Sequence, residues 1–199
     1  MMEDTLIFAD DGFFRLVKKH FEDASGNKKK FLQTFRNICK KENLNLKHLF
    51  IYSAPPYQSE NPSKRENKLR EDYDKIKKML ESKKWITFRE GRCQRLKIDG
   101  EYKFYQKAVD ILLVIDLMRF NIDFSDINKI ILIACDSDFV PAIRQLKKEG
   151  IIVMLYTYFD RKRNSQFSRY NELLDISSKW VKLDESYFEN SLLNDLGGK

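Results

Sequence analysis

The chain is poor in the residues that bind soft metals or cross-link. Its 199 residues include three cysteines (Cys39, Cys93, Cys135) and two histidines (His20, His48). An odd cysteine count with no ligand spacing excludes a disulfide framework and a structural zinc site, and points to a reducing cytoplasm. Neither GxGxxG nor GxxxxGK[ST] occurs, so dinucleotide-binding and P-loop chemistry are excluded. Long apolar runs are also missing. The longest, Ala108–Met118, is 11 residues and contains Asp110 and Asp116, and mean hydropathy is −0.56. A membrane-spanning helix is not expected, nor is a membrane partner. The opening MMEDTLIFADD is acidic and lacks an apolar h-region, so no secretory signal is expected. No internal repeat or low-complexity tract is seen. What is abundant is core-forming material: 42% of residues are hydrophobic and 13% aromatic, which excludes global disorder.

Formal net charge is +7, and its placement says more than its size. Residues 64–107 hold 15 Lys/Arg against 8 Asp/Glu, so this stretch carries the whole excess. Such a segment suits a polyanion such as nucleic acid. It also suits a basic solvated face, and sequence leaves both open.

Strand and helix patterns alternate. Leu6–Ala9 reads as a strand running into Asp10-Asp11-Gly12, and Phe13–Phe21 as a short helix. Phe31, Phe35, Ile38 and Cys39 fall on one face of a helix over Lys29–Glu42. His48–Ser53 is a strand stopped by Pro55-Pro56, residues 57–66 a loop, and Asn67–Ser82 a helix with one strongly basic face. Trp85–Phe88 reads as a strand, and Arg89–Lys103 as a charged connection with a turn at Asp99-Gly100. Tyr105–Phe120 reads as a long helix, apolar nearly all round over Ala108–Met118. Lys129–Ala134 and Ile151–Tyr156 are fully apolar strands of the parallel-sheet type, flanking a helix over Asp138–Glu149 capped by Gly150. A polar loop over Asp160–Ser168, a helix near Tyr170–Ser177 and an edge strand Trp180–Leu183 follow. The reading is one α/β domain over residues 1–185, three layers around a central, mainly parallel sheet, then a C-terminal tail over 186–199.

Sites on parallel sheets form beyond the carboxyl ends of strands. Two apolar strands here end directly in carboxylates: the first in Asp10 and Asp11, the other in Cys135-Asp136-Ser137-Asp138. Asp110 and Asp116 sit in a helix that otherwise reads as buried, and a lone buried carboxylate costs several kcal/mol unless paired. Mg²⁺ or Mn²⁺ would relieve converging carboxylates, activate a water and screen a phosphodiester. Asp110 and Asp116 are about 120° apart around a helix, so they cannot both face one ion. Asp110 is preferred, because Lys107 shares its face at i, i+3, and Asp116 is left as a supporting or buried paired residue. Cys135 reads as a small packed residue, Phe139 as core, and His20 and His48 as structural.

These residues resemble the NYN domain, a branch of the PIN-like nucleases (the LabA type). The matching elements are IFAD with Asp10, KAVDILLVIDLM with Lys107 and Asp110, and ILIACDSDFVPAIRQLKKEG with Asp136, Asp138, Phe139 and Gly150. The third is the most specific, and the resemblance covers residues 5–183. It implies a Rossmann-like PIN fold and a ribonuclease that binds Mg²⁺ or Mn²⁺ through Asp10, Asp110, Asp136 and Asp138. Two positions depart from the family pattern: Phe13 stands where Asn is frequent, and Cys135 where Gly is frequent. Lys107, Arg89, Arg92, Arg95 and Ser137 are the expected contacts to RNA, with DNA as the alternative polymer. Receiver domains and haloacid-dehalogenase phosphatases fit poorly, since no middle strand ends in Asp and Asp10-Asp11 lacks the Asp-x-Asp spacing. A Toprim-like site would want Glu at Asp10. The standing alternative is a PIN-like module that binds RNA or protein without cutting.

Overall fold

Outside the segment between β3 (Ile86–Glu90) and residue 108, strands and helices follow one another in the order that the hydrophobic periodicity predicts. The computed structural model describes residues 2–25, 31–160, 167 and 169–189. The expected helix start at Lys29, most of the loop 160–168 and the tail beyond residue 189 lie outside them. In chain order the elements are β1 (Glu3–Asp10), α1 (Asp11–Ser25), α2 (Phe31–Lys41), β2 (Leu44–Ser53), α3 (Lys64–Glu81) and β3 (Ile86–Glu90). Then come β4 (Arg92–Ile98), β5 (Glu101–Lys107), α4 (Val109–Leu117), α5 (Phe120–Asp123) and β6 (Lys129–Ile133). The last are α6 (Val140–Lys148), β7 (Ile152–Thr157), α7 (Asn171–Ile176) and β8 (Lys179–Lys182).

Six strands form one fully parallel sheet in the order β3-β2-β1-β6-β7-β8. Side chains alternate across it. Leu6 and Phe8 of β1 pack with α4, α6 and α7, whereas Ile7 and Ala9 pack with α1, α2 and α3. Two apolar cores therefore sandwich the sheet, giving the three-layer α/β fold. The stacked rings of Phe8 and Phe50, 4.7 Å apart, tie β1 to β2 on one face. Among the described residues no helix is long and apolar enough to cross a membrane.

The segment after β3 differs from the sequence reading. The charged connection and the start of the long helix are instead an antiparallel hairpin, β4–β5, which forms its own two-stranded sheet. Asp99 and Gly100 both have positive φ (53° and 84°), as a two-residue type I′ turn requires. The alternating aromatics of EYKFYQK favour a strand over a helix here. Lys107 thus ends a strand, and its expected helical i, i+3 pairing with Asp110 does not exist. The hairpin closes on Gly91, where an added Cβ would meet the Lys107 carbonyl oxygen at 2.4 Å. α4 is also not buried all round: Val109, Leu113 and Leu117 face the core, while Ile111 is 64% exposed. α3 begins at Lys64, inside the expected loop, because Ser63 and Glu66 form a reciprocal capping box. At the other end, Tyr187 and Phe188 are buried in the core, and Asn37 Nδ2 donates to the Tyr187 and Glu189 carbonyls. The chain is therefore packed well past residue 185.

Asp116 has found partners other than a metal. Arg89 Nε and Nη2 donate to its two oxygens at 2.9 Å each, and Tyr52 Oη donates to Oδ2 at 3.0 Å. This joins α4 to β3 and β2. Arg89, expected to contact phosphate, has its guanidinium fork committed to this carboxylate. Asp116→Ala would strand a half-exposed Arg89 and a buried tyrosine hydroxyl. It should cost about 2 kcal/mol in urea denaturation, below the 3–5 kcal/mol of a fully buried pair. A loss under about 0.5 kcal/mol would show that the bridge carries little.

Candidate active site

β1 and β6 lie side by side and parallel, with Ala9 opposite Ile133. The connections run outward from this pair in both directions, toward β3 and toward β8, so it is the topological switch point of the sheet. A crevice beyond the carboxyl ends is the usual place for a ligand in such folds. β1 ends there in Asp10, and β6 leads through Ala134 and Cys135 to Asp136.

Asp10 Oδ1 accepts the Phe13 backbone N–H at 3.2 Å, so the carboxylate also caps the start of α1. Burial pushes its carboxyl up to about 7. The Phe13 and Gly12 backbone N–H groups oppose that shift, and the charges of Asp110 and Asp11 reinforce it. Asp110, in the first turn of α4, is raised chiefly by burial and then by the charges of Asp136 and Asp138. Asp136 Oδ1 accepts the Asp138 backbone N–H at 2.9 Å and so caps a short 3₁₀ turn, Ser137–Phe139. The structure thus brings Asp10, Asp136 and Asp138 each into electrostatic range of Asp110, from three separate elements. They do not form a closed cage: among the described residues, no three His, Cys, Asp or Glu side chains stand as a ready metal-binding group. The donor set still suits a hard divalent cation in kind, since it offers carboxylate oxygens whose mutual repulsion a cation would relieve.

Ala108, immediately before α4, adopts φ +69°. A left-handed alanine is strained, and this one sits at the joint that aims Asp110. The two departures from the family pattern have structural reasons. Phe13 is buried core beneath α1, and it supplies the backbone N–H to Asp10 without a polar side chain. Cys135 packs against the same core, and burial pushes its thiol up to about 12, which suits a packed residue and not a nucleophile. Phe139 is fully buried. His20 and His48 bond Tyr158 and Thr87.

The expected phosphate contacts do not gather at the acids as a group. Ser137 does, next to Asp136. Lys107 is exposed at the base of the hairpin, directly opposite Arg92, and Arg95 lies farther out on β4. On α3, Lys68 pairs with Asp72, Arg70 with Asp74 and Lys77 with Glu90, so part of that helix's basic charge is spent in ion pairs. Sequence reasoning gave Asp11 too small a part. It is 1% exposed; Oδ2 accepts from Ser53 Oγ and Arg15 Nε at 2.7 Å each, while Oδ1 is buried with no partner among the described residues. A cleft lined by Asp11, Gly12, Tyr73 and Gln106 opens beside it.

The strain at Asp10 gives a testable sign. Its folded carboxyl ionises near 7 and its unfolded one near 3.8. The stability linked to its protonated form is complete below about pH 4 and is lost as pH rises to about 7. In EDTA, Asp10→Asn, which keeps the α1 cap, should raise Tm by at least about 2 °C at pH 8 and leave it unchanged near pH 4. An unchanged or lowered Tm at pH 8 would contradict the buried-charge picture.

The family model described as NYN domain matches residues 22–172, a span that includes Asp110, Asp136 and Asp138 and begins after Asp10. No curated protein matches the chain. Among solved structures, a protein of unknown function from Vibrio parahaemolyticus RIMD 2210633 is similar in fold. Its TM-score is 0.53 at 15% identity, over 94% of this chain and 96% of that one. At that identity the likeness concerns the fold alone.

Proposed function

The chain belongs to the NYN domain family, and we propose that it is a metal-dependent ribonuclease with its centre at the ends of β1 and β6. The observation that carries this reading is the convergence of Asp10, Asp110, Asp136 and Asp138 near the switch point, where the charge of Asp110 raises the proton affinity of Asp10 and the charges of Asp136 and Asp138 raise that of Asp110. Capping accounts for Asp10 and Asp136 singly but not for four acids in one place, and such an arrangement is costly without a cation.

Asp10, Asp110 and Asp136 would hold Mg²⁺ or Mn²⁺, with Asp138 completing the set or orienting a water. The bound ion would supply a polarised phosphoryl oxygen and an activated water. Asp10, which keeps its proton to about pH 7 by itself, would ionise as the cation arrives, so cation binding should strengthen from pH 6 to 8. Asp138 and Ser137 lie at the exposed side of the cluster, where a phosphodiester would approach. Lys107 and Arg92, at the base of the hairpin, would hold the backbone on either side. Such contacts position the polymer and read no sequence.

The open arrangement of the acids favours a second reading, a PIN-like module that binds RNA or protein and cuts nothing. One assay separates the two. A labelled structured RNA and a single-stranded DNA are incubated with Mn²⁺, Mg²⁺ or EDTA, beside Asp136→Asn. The nuclease reading expects metal-dependent cleavage that falls at least 100-fold in the variant, with RNA binding retained. Salt-sensitive RNA binding without cleavage under any metal would leave the binding module.

A further inference from the structure

The β4–β5 hairpin has no role in the fold's core, yet its side chains are ordered by type. Residues directly opposite in an antiparallel pair share a face. One face therefore carries Cys93, Arg95 and Lys97 on β4, and Gln106, Phe104 and Tyr102 on β5. Tyr102 and Phe104 are each 58% exposed. Arg95 places its guanidinium 4.4 Å from the Tyr102 ring centroid and 4.6 Å from that of Tyr57, and Tyr57 in turn lies 5.4 Å from Phe104. Rings two residues apart on a strand are separated by about 6.8 Å, twice the about 3.4 Å rise of stacked bases. Arg95 and Lys97 share the face of these rings, Arg92, Lys103 and Lys107 stand on the opposite face, and the hairpin's acids, Asp99 and Glu101, are at or beside the tip.

The same face leads to the acids. A Cβ added at Gly12 would lie 3.1 Å from Gln106 Nε2 and 3.2 Å from Asp10 Oδ1, so the hairpin's base and the first carboxylate flank one glycine. Gly91, which admits no Cβ, fixes the hairpin to Val109 at the start of α4, the residue before Asp110.

We infer that this hairpin is a binding arm for single-stranded nucleic acid. Bases stack on Tyr102 and Phe104, Arg95 and Lys97 meet the backbone, and the strand is led past Gln106 to the carboxylates. Rings with interleaved cations are the chemistry of sequence-tolerant single-strand binding, in which each stacked base is worth about 1–3 kcal/mol. A duplex hides its base faces and cannot use such a ladder. The direction of the strand rests on the nuclease reading above; the binding itself does not.

The test uses the full chain in EDTA, so that nothing is cut, and follows anisotropy of fluorescein-labelled single-stranded RNA, single-stranded DNA and a duplex of the same sequence. The single strands should bind at least 5-fold more tightly than the duplex. Tyr102→Ala combined with Phe104→Ala should weaken single-strand binding at least 10-fold and leave duplex binding within 2-fold, while Tyr102→Phe should retain parental affinity. Equal single-strand affinity in the double variant, or displacement of the single strand by heparin equally from parent and variant, would overturn the arm and leave a general polyanion patch. A metal-dependent cleavage assay on the same proteins separates the two proposals. Cleavage with ring-independent binding sinks the arm alone, and ring-dependent binding without cleavage sinks the nuclease alone.

Discussion

β1 ends in Asp10 and its neighbour β6 leads three residues on to Asp136, and the chain holds these carboxylates near one another at the point where its sheet reverses order. Repulsion at this point shapes the elements around it. Asp10 is spent partly on capping α1, Asp136 on capping the turn that starts α6, and Asp110 is brought in on a helix that begins from a left-handed alanine. Backbone N–H donors and a strained joint are what a fold uses to hold charge where burial opposes it. The apolar strands behind the acids make the position rigid. Ile7, Phe8, Ile131 and Leu132 are fully buried, so the carboxylates stand on elements with little freedom to move apart.

Much of this was legible in the sequence, for physical reasons. Fully apolar strands such as KIILI have few alternatives to the centre of a parallel sheet, and a carboxylate directly after such a strand falls at its carboxyl end by geometry. Asp10 and the Asp136-Ser137-Asp138 turn accordingly lie at or just beyond the carboxyl ends of β1 and β6. The segment from Arg89 to Lys107 was not legible, because its charge masked a period-two alternation. Asp99-Gly100 was visible as a turn, but the aromatic strand after it ran without a break into the apolar helix, and helical periodicity was extended backward over it. That error put Lys107 on a helix face. The partners of Asp116 lie 27 and 64 residues away in Arg89 and Tyr52, and no local pattern reports such a pairing. The α3 start was missed for a simpler cause, an unrecognised capping box at Ser63 and Glu66.

Charge distribution follows the same division. The basic excess of residues 64–107 looks uniform in sequence, but the structure splits it. On α3 part of it is paired, Lys68 and Arg70 with i, i+4 carboxylates, and on the hairpin it alternates with exposed rings. Only the second arrangement offers a polyanion both charge and stacking surface. Gly91 and Gly12 join that surface to the acids, one by admitting no Cβ beside the Lys107 carbonyl, the other by separating Gln106 from Asp10. The α/β sheet thus supplies the fixed carboxylates, and a two-stranded insertion supplies the surface that could present a polymer to them.

The central claim is that these carboxylates share one divalent cation. The most direct measurement is an anomalous difference map from crystals of the chain soaked in Mn²⁺ at pH 8. The account predicts a single strong peak beyond the ends of β1 and β6, within bonding distance of Asp10 and Asp136, and absent in crystals of Asp10→Asn. A map with no peak there, or with Mn²⁺ bound only at surface acids elsewhere, would contradict it.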